Sequence, residues 1–183
     1  AYSLISTSKV RNEMIVNDVK KSIAQNRTPV ILTRFKEHAK YLYDTLKDKA
    51  NHVFLLYGDN SDKENADIRL RLKQVPRTES LILVATGQKI GEGFDFPRLD
   101  VLFLAAPISF EGRLEQYVGR LNRDYEGKEA VYVYDYIDTH VRFFNKMYGK
   151  RLKTYKRIGF SVWTEEPRSK QIINAIYDFG NYT

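Results

Sequence analysis

The chain has 183 residues, 43% hydrophobic and 29% charged, with no cysteine. These are globular proportions for one domain with or without an appendage, and they exclude a disulfide scaffold, a thiolate zinc site and a thiol nucleophile. The longest apolar run, Val101 to Pro107, is strand-sized and no secretory pattern opens the chain, so neither a membrane span nor a signal peptide is expected. The net charge of +7 is concentrated late: from residue 139 onward nine Lys/Arg face three Asp/Glu, while the preceding residues carry twenty-one against twenty. The first methionine is Met14, which suggests a piece of something larger.

In chain order, Val10, Met14, Val19 and Ile23 form a loose helical stripe. Pro29 to Thr33 is a β-branched, buried strand, and Phe35, Ala39, Leu42 and Leu46 then recur at helical spacing. His52 to Tyr57 is a second strand, stopped by Gly58-Asp59-Asn60; Asn65 to Val75 is helical and ends at Pro76. Leu81 to Ala85 is a third strand that enters a glycine-rich loop from Gly87 to Pro97. Val101 to Leu104 is a fourth strand, Leu114 to Leu121 a short helix, and Ala130 to Tyr134 a fifth strand. Val141, Phe144, Tyr148, Leu152 and Tyr155 make another apolar helical stripe, and Ile172, Ile173, Ile176 and Phe179 predict a last helix. Strands that are continuous apolar runs are buried on both faces, so the expected class is α/β: an open, mostly parallel sheet with helices on both faces. Three parts follow: residues 1–27 packed on the core, an α/β domain over 28–138, and a basic helical extension over 139–183.

Open parallel sheets bind ligands at the carboxyl ends of their strands. The loop after the third strand contains Gly87, Gly91 and Gly93, which would let backbone N–H groups approach a ligand. Its bland alternative is a glycine-containing crossover. No Walker A string occurs in the chain, and no helical pattern follows Gly93 to make a dinucleotide fingerprint. In the second string, helical spacing puts Gln116, Gly119, Arg120 and Arg123 along one side. Two guanidinium groups three residues apart can grip phosphate oxygens, or can simply end a helix favourably. A glycine inside a helix costs about 1 kcal/mol against alanine, which close approach of a neighbouring backbone or ligand would justify.

Taken together, Ala85-Thr86, the glycine loop, Gly93-Phe94-Asp95 and Gln116-x-x-Gly119-Arg120-x-x-Arg123 resemble motifs V and VI of superfamily 2 helicases. Val30 to Arg34 lies where motif IV would, and Leu56-Tyr57-Gly58 resembles the Leu-His-Gly turn after the next strand. The resemblance covers residues 28–138, the second RecA-like domain of those motors. Ala106-Pro107 and Gly127-Lys128 are similar to the restriction and repair branches rather than to DEAD-box RNA helicases. Gly87 departs from the family, whose members often carry Asp or Asn there, and Tyr57 replaces the usual His.

The resemblance implies an ATP-dependent motor of which this chain is one half. Arg123 would be the arginine finger and Arg120 a second γ-phosphate contact. Gly93, Asp95, Gln116 and Gly119 would meet the nucleotide, and Thr86, Arg34 and Gly58 the nucleic acid. The Walker A string and the Asp-Glu magnesium motif would belong to an N-terminal RecA-like domain, in the same chain or a partner's, which would hold Mg2+ and most of the ATP. The expected track is nucleic acid, DNA ahead of RNA, in a bacterial cytoplasm or nucleoid, with no membrane. The alternative is a non-catalytic nucleic-acid-binding or scaffolding module with the same fold.

The basic segment adds Arg142, Lys146, Lys150, Arg151, Lys153, Lys156 and Arg157, with Phe143, Phe144, Tyr148 and Tyr155 among them. A helix would separate these into a cationic and an apolar face, the former either contacting phosphates or merely solvated. His38, His52 and His140 lack ligand spacing. Asp135 and Asp138 are read as a strand end and helix cap in preference to a metal pair.

Overall fold

The computed structural model of the chain describes residues 6–91, 95–107, 111–123, 125–137, 141–165 and 171–178. In chain order the elements are α1 (Lys9–Ala24), β1 (Pro29–Thr33), α2 (Lys36–Leu46), β2 (His52–Leu56), α3 (Asp62–Gln74), β3 (Leu81–Thr86) and α4 (Gly87–Gly91). These are followed by β4 (Val101–Leu104), α5 (Glu111–Leu121), β5 (Ala130–Ile137), α6 (Arg142–Arg157), β6 (Ser161–Glu165) and β7 (Gln171–Asp178). The strands form one sheet in the order β2-β3-β1-β4-β5-β7-β6. β1 to β5 pair in parallel, and β7 is antiparallel to both β5 and β6.

Alternate side chains of the parallel strands enter two separate apolar layers, which explains why their sequences carry continuous apolar runs in place of alternation. Leu81, Leu83 and Ala85 pack with Leu72 of α3, Tyr117, Val118 and Leu121 of α5 and Tyr155 of α6. Ile82 and Val84 pack on the other face with Ile15 and Val19 of α1 and Ala39, Leu42 and Leu46 of α2. The open, mostly parallel α/β sheet expected from the sequence is therefore the fold.

Four expectations need correction. The run with Ile172, Ile173 and Ile176 is the strand β7, paired with β5 along residues 171–178; its β-branched density outweighs the helical spacing of its isoleucines. The segment after β3 does not begin as an open loop: Gly87–Gly91 is a short helix that buries Ile90. On α1 the buried face is Arg11, Asn12, Ile15, Asp18, Val19 and Ser22, whereas Val10 is 55% exposed. On α6 the buried residues are Phe144, Met147, Arg151, Thr154 and Tyr155, so Arg151 leaves the expected cationic face and Phe143 lies outside the apolar one.

That last exchange has a clear cause. Arg151 donates to both carboxylate oxygens of Asp135, at 2.6 and 2.9 Å, and the Tyr155 hydroxyl donates to Asp135 at 2.8 Å. Burial opposes the charge on Arg151, but the adjacent Asp135 outweighs it and holds the guanidinium's pKa above its ordinary value. Asp135 thus sits near the end of β5, as expected, and its carboxylate is taken up by Arg151 and Tyr155; Asp138, the cap candidate, lies outside the described residues.

Candidate functional site

The strand order brings the carboxyl ends of β2, β3 and β1 side by side, so Gly58, Thr86 and Arg34 end or follow neighbouring strands at one edge of the sheet. Gly58 and Arg34 are exposed, and Thr86 is 7% exposed at the end of β3. The turn holding Gly58 is built from side-chain amides. Asn60 donates to the Leu55 carbonyl at 2.7 Å and to Asn65 Oδ1 at 3.0 Å, and Asn65 donates to the Tyr57 carbonyl at 3.2 Å. Lys36, at the start of α2, adds an ion pair to Asp59 at 2.5 Å.

Behind Arg34 lies a buried polar network that anchors the carboxyl end of β1. His38 Nε2 is 2.8 Å from Asn12 Oδ1, and His38 Nδ1 is 3.0 Å from Thr33 Oγ1. Asn12 Nδ2 donates to the Ser6 carbonyl, so its Oδ1 accepts; Nε2 carries the proton and Nδ1 accepts from the threonine hydroxyl. Burial and, secondarily, the Arg11 guanidinium push the His38 pKa down to about 4. Arg11 itself donates to the Ala105 carbonyl just beyond β4, and Asp18 accepts from the Tyr136 hydroxyl at 2.8 Å.

The second group sits on α5, which follows β4. Tyr117, Val118 and Leu121 face the core, leaving Gln116 and Gly119 exposed on the opposite side. A Cβ at Gly119 would meet no atom within 4 Å, so nothing in this chain's described packing requires a glycine there. Arg123, one turn on, is exposed, and its Nε lies 3.7 Å from Asp95 Oδ1. Two residues predicted for one site are thereby brought together from separate segments. Gly93 lies outside the described residues; Arg120 is on α5, and its side chain is not described.

Sequence reasoning missed two supports of this site. Lys128 donates to the carbonyls of Pro97, Leu121 and Arg123, tying the carboxyl end of α5 to the segment just after Asp95. A cation on the last carbonyls of a helix satisfies acceptors that the helix leaves open; the Gly127-Lys128 pair was visible, but not its target. The second support is Tyr117, buried under the start of α4. A Cβ added to Gly87 would lie 2.5 Å from the Tyr117 hydroxyl, which accounts for the glycine at this departure from the helicase pattern.

A cleft of about 490 Å³ opens at the opposite, amino edge of the sheet, among Arg27, Arg77, Arg98 and Asp100. Its cations are engaged in the fold. Arg98 donates to Thr28 Oγ1 and to the Val75, Pro76 and Glu79 carbonyls, and Arg27 stacks 3.4 Å from the Tyr132 ring centre. Burial raises the Asp100 pKa to about 6 against the opposing Thr28 N–H hydrogen bond of 2.7 Å. Among the described residues no three His, Asp or Glu side chains group to hold a metal ion, and no helix is long and apolar enough to cross a membrane.

No protein-family model matches the chain. It is 26% identical over 200 residues to transcript termination protein A18 of vaccinia virus (strain Ankara), covering 97% of this chain and 40% of the relative. The chain therefore spans about two fifths of that relative's length. Among solved structures, T4 UvsW superposes with a TM-score of 0.64 at 16% identity, over 85% of this chain and 34% of that one. Domain 2 of the DEAD-box helicase Mss116p, solved bound to an RNA duplex, gives 0.55 at 22% identity, over 65% and 46%. The chain shares the open α/β fold of these solved helicase domains.

Proposed function

We propose that this chain is the C-terminal motor domain of an ATP-dependent superfamily 2 helicase or translocase acting on nucleic acid, with DNA the favoured track. The carrying observation is the exposure of Gln116 and Gly119 on one side of α5, with exposed Arg123 just past its end facing Asp95. These residues would close on an ATP bound chiefly by an N-terminal RecA-like domain, in the same or a partner chain. Arg123 acts as arginine finger and Arg120 as a second γ-phosphate contact; Gly93, Asp95, Gln116 and Gly119 complete this domain's nucleotide face. An arginine finger neutralises charge that builds in the transition state and is worth about 10³ to 10⁵ in rate. Mg2+ would be held by the other domain.

Thr86, Arg34 and Gly58, aligned on the β2-β3-β1 edge, form this domain's share of the track. Opening and closing of the interdomain cleft, biased by the γ-phosphate, would step the two domains along a strand. The motor unit is residues 28–138, with 1–27 packed on it and 139–183 as its extension. A restriction- or repair-type branch rests on Ala106-Pro107 and Gly127-Lys128 alone, and a bacterial cytoplasm on no residue of this chain. The viral relative's role in transcript termination instead points to a motor working on nucleic acid during transcription.

The test is ATP turnover by a polypeptide carrying both RecA-like domains, with no nucleic acid, single-stranded DNA, duplex DNA or RNA. A motor is stimulated by its track, and Arg123→Ala abolishes turnover while leaving nucleic-acid affinity nearly unchanged. Flat, negligible turnover in all four would favour the rival reading, a non-catalytic nucleic-acid-binding or scaffolding module. The 183-residue chain alone should release phosphate at background level; steady turnover by it would overturn the half-site reading.

A further inference from the structure

We propose that the outward face of α6 is a second nucleic-acid contact, a straight row of cations that grips the phosphate backbone outside the motor cleft. At about 100° per residue, Arg142, Lys146, Lys150, Lys153 and Arg157 fall within an arc of roughly 80° and span about 22 Å of helix. The four measured from Arg142 to Lys153 are exposed and have no ion-pair partner among the described residues. Arg157 is paired with Glu115 of α5 at 2.5 Å. No Asp or Glu occurs anywhere from residue 139 to 164. Phe143, 53% exposed, borders the row at its amino end.

This arrangement is unfavourable to the helix itself. Like charges three and four residues apart repel one another on a helix surface. Arg142 also stands in the first turn, which contains no acidic residue, at the end where the macrodipole disfavours a cation. A polyanion laid along the row removes both penalties. The opposite side of α6 is fixed by the buried Asp135–Arg151 pair and by Phe144, Met147 and Tyr155, so the row faces away from the sheet. α6 starts five residues past the end of β5, hence near the carboxyl edge that carries Arg34, Gly58 and Thr86. The row therefore begins at the carboxyl edge of the sheet, two strands over from Arg34 at the end of β1, and runs down the outer face.

The inference rests on the motor reading for its choice of nucleic acid, and the test separates the two. The probe is a fluorescent 20-mer, as duplex and as single strand, titrated with this chain by anisotropy from 50 to 200 mM salt. Each phosphate neutralised contributes about −0.9 to the slope of log K against log salt on a duplex and about −0.7 on a single strand. The triple substitution K146Q/K150Q/K153Q should weaken binding at least tenfold at 100 mM salt. It should also flatten the slope by about 2.7 on duplex or about 2.1 on single strand, according to which one lies on the row. The control K20Q/K21Q/K47Q removes the same charge from exposed positions of α1 and the end of α2, across the sheet; it should change both quantities little.

Equal effects from the two triples would reduce the row to net charge and overturn the inference. An unchanged K146Q/K150Q/K153Q with a weakened R34Q would overturn it and leave the motor track standing. The reverse pattern would uphold the row and remove Arg34 from the track. No binding by the unsubstituted chain at 50 mM salt would overturn both. Because the row is exposed and self-repelling, the triple variant should unfold at no lower temperature than the parent, which guards against misfolding as the cause.

Discussion

Replacing Arg151 by methionine should cost far more than any exposed cation on the same helix. The Arg151 and Asp135 side chains are 4% and 2% exposed, and the substitution leaves Asp135 with one of its three hydrogen bonds, that from Tyr155. Removing one partner of a buried pair typically costs about 3–5 kcal/mol, because the surviving charge stays desolvated without compensation. For a domain of this size each kcal/mol shifts the midpoint by about 2–4 °C, so a fall of roughly 6–20 °C is expected. Urea unfolding at pH 7 followed by circular dichroism gives the free energy, with an unchanged m-value confirming that compactness is retained. The companion D135L/R151M/Y155F replaces the whole polar triad with apolar groups of similar volume and should recover most of the loss. If Arg151→Met loses less than about 1 kcal/mol, or the triple is no better than the single, the desolvation argument is wrong.

Four further outcomes are expected. Gly119→Ala should stabilise the fold by up to about 1 kcal/mol, since its Cβ meets nothing, yet slow ATP turnover in the two-domain protein; a stability gain without a loss of turnover would remove Gly119 from the nucleotide face. Lys128→Met should destabilise by about 1–3 kcal/mol and lower turnover by loosening the turn that carries Arg123, read by unfolding and by phosphate release. Gly87→Asp should lower the unfolding midpoint, and Gly87→Asp with Tyr117→Ala should relieve the clash while forfeiting core packing. The pH dependence should show two opposed contributions. The depressed His38 withdraws up to about 3 kcal/mol of stability as pH falls from 6.5 towards 4, whereas the raised Asp100 withdraws a similar amount as pH rises from about 4 to 6. Urea titrations of His38→Gln should therefore show stability rising on acidification through that window, and those of Asp100→Asn should show it falling more steeply than in the parent.

The sheet was legible in the sequence because each parallel strand is buried on both sides, and Val30–Leu32, Leu81–Ala85 and Val101–Leu104 advertise that without alternation. The helix expected over 114–121 was likewise readable, though it starts earlier, at Glu111; of its expected row of Gln116, Gly119, Arg120 and Arg123, the first two and Arg123 are exposed, with a spacing distinct from Tyr117, Val118 and Leu121. α3 begins at Asp62, ahead of the apolar pattern, because Ser61 and Glu64 close a capping box; that signal was present and overlooked. What could not be read were faces buried through polar contacts. Arg11, Asn12 and Asp18 on α1, and Arg151 on α6, look like solvent residues until Ala105, His38, Tyr136 and Asp135 are brought opposite them from as far as 118 residues away. β7 was misread because isoleucines at 172, 173 and 176 satisfy a helical period and a strand equally well in a short window.

The buried contact between Asp135 and Arg151 also indexes α6 like a key in a shaft. Apolar side chains would seat the helix in several nearly equivalent rotations, but a carboxylate deep in the sheet accepts a guanidinium from one position only. Turning α6 by a single residue, about 100°, would strand both charges and swing the outer cations sideways. The azimuth of a surface feature is thus dictated from the interior. Sequence drift on the outside of this helix can alter how strongly it attracts a polyanion, yet the direction in which it does so is set by two residues buried beneath it.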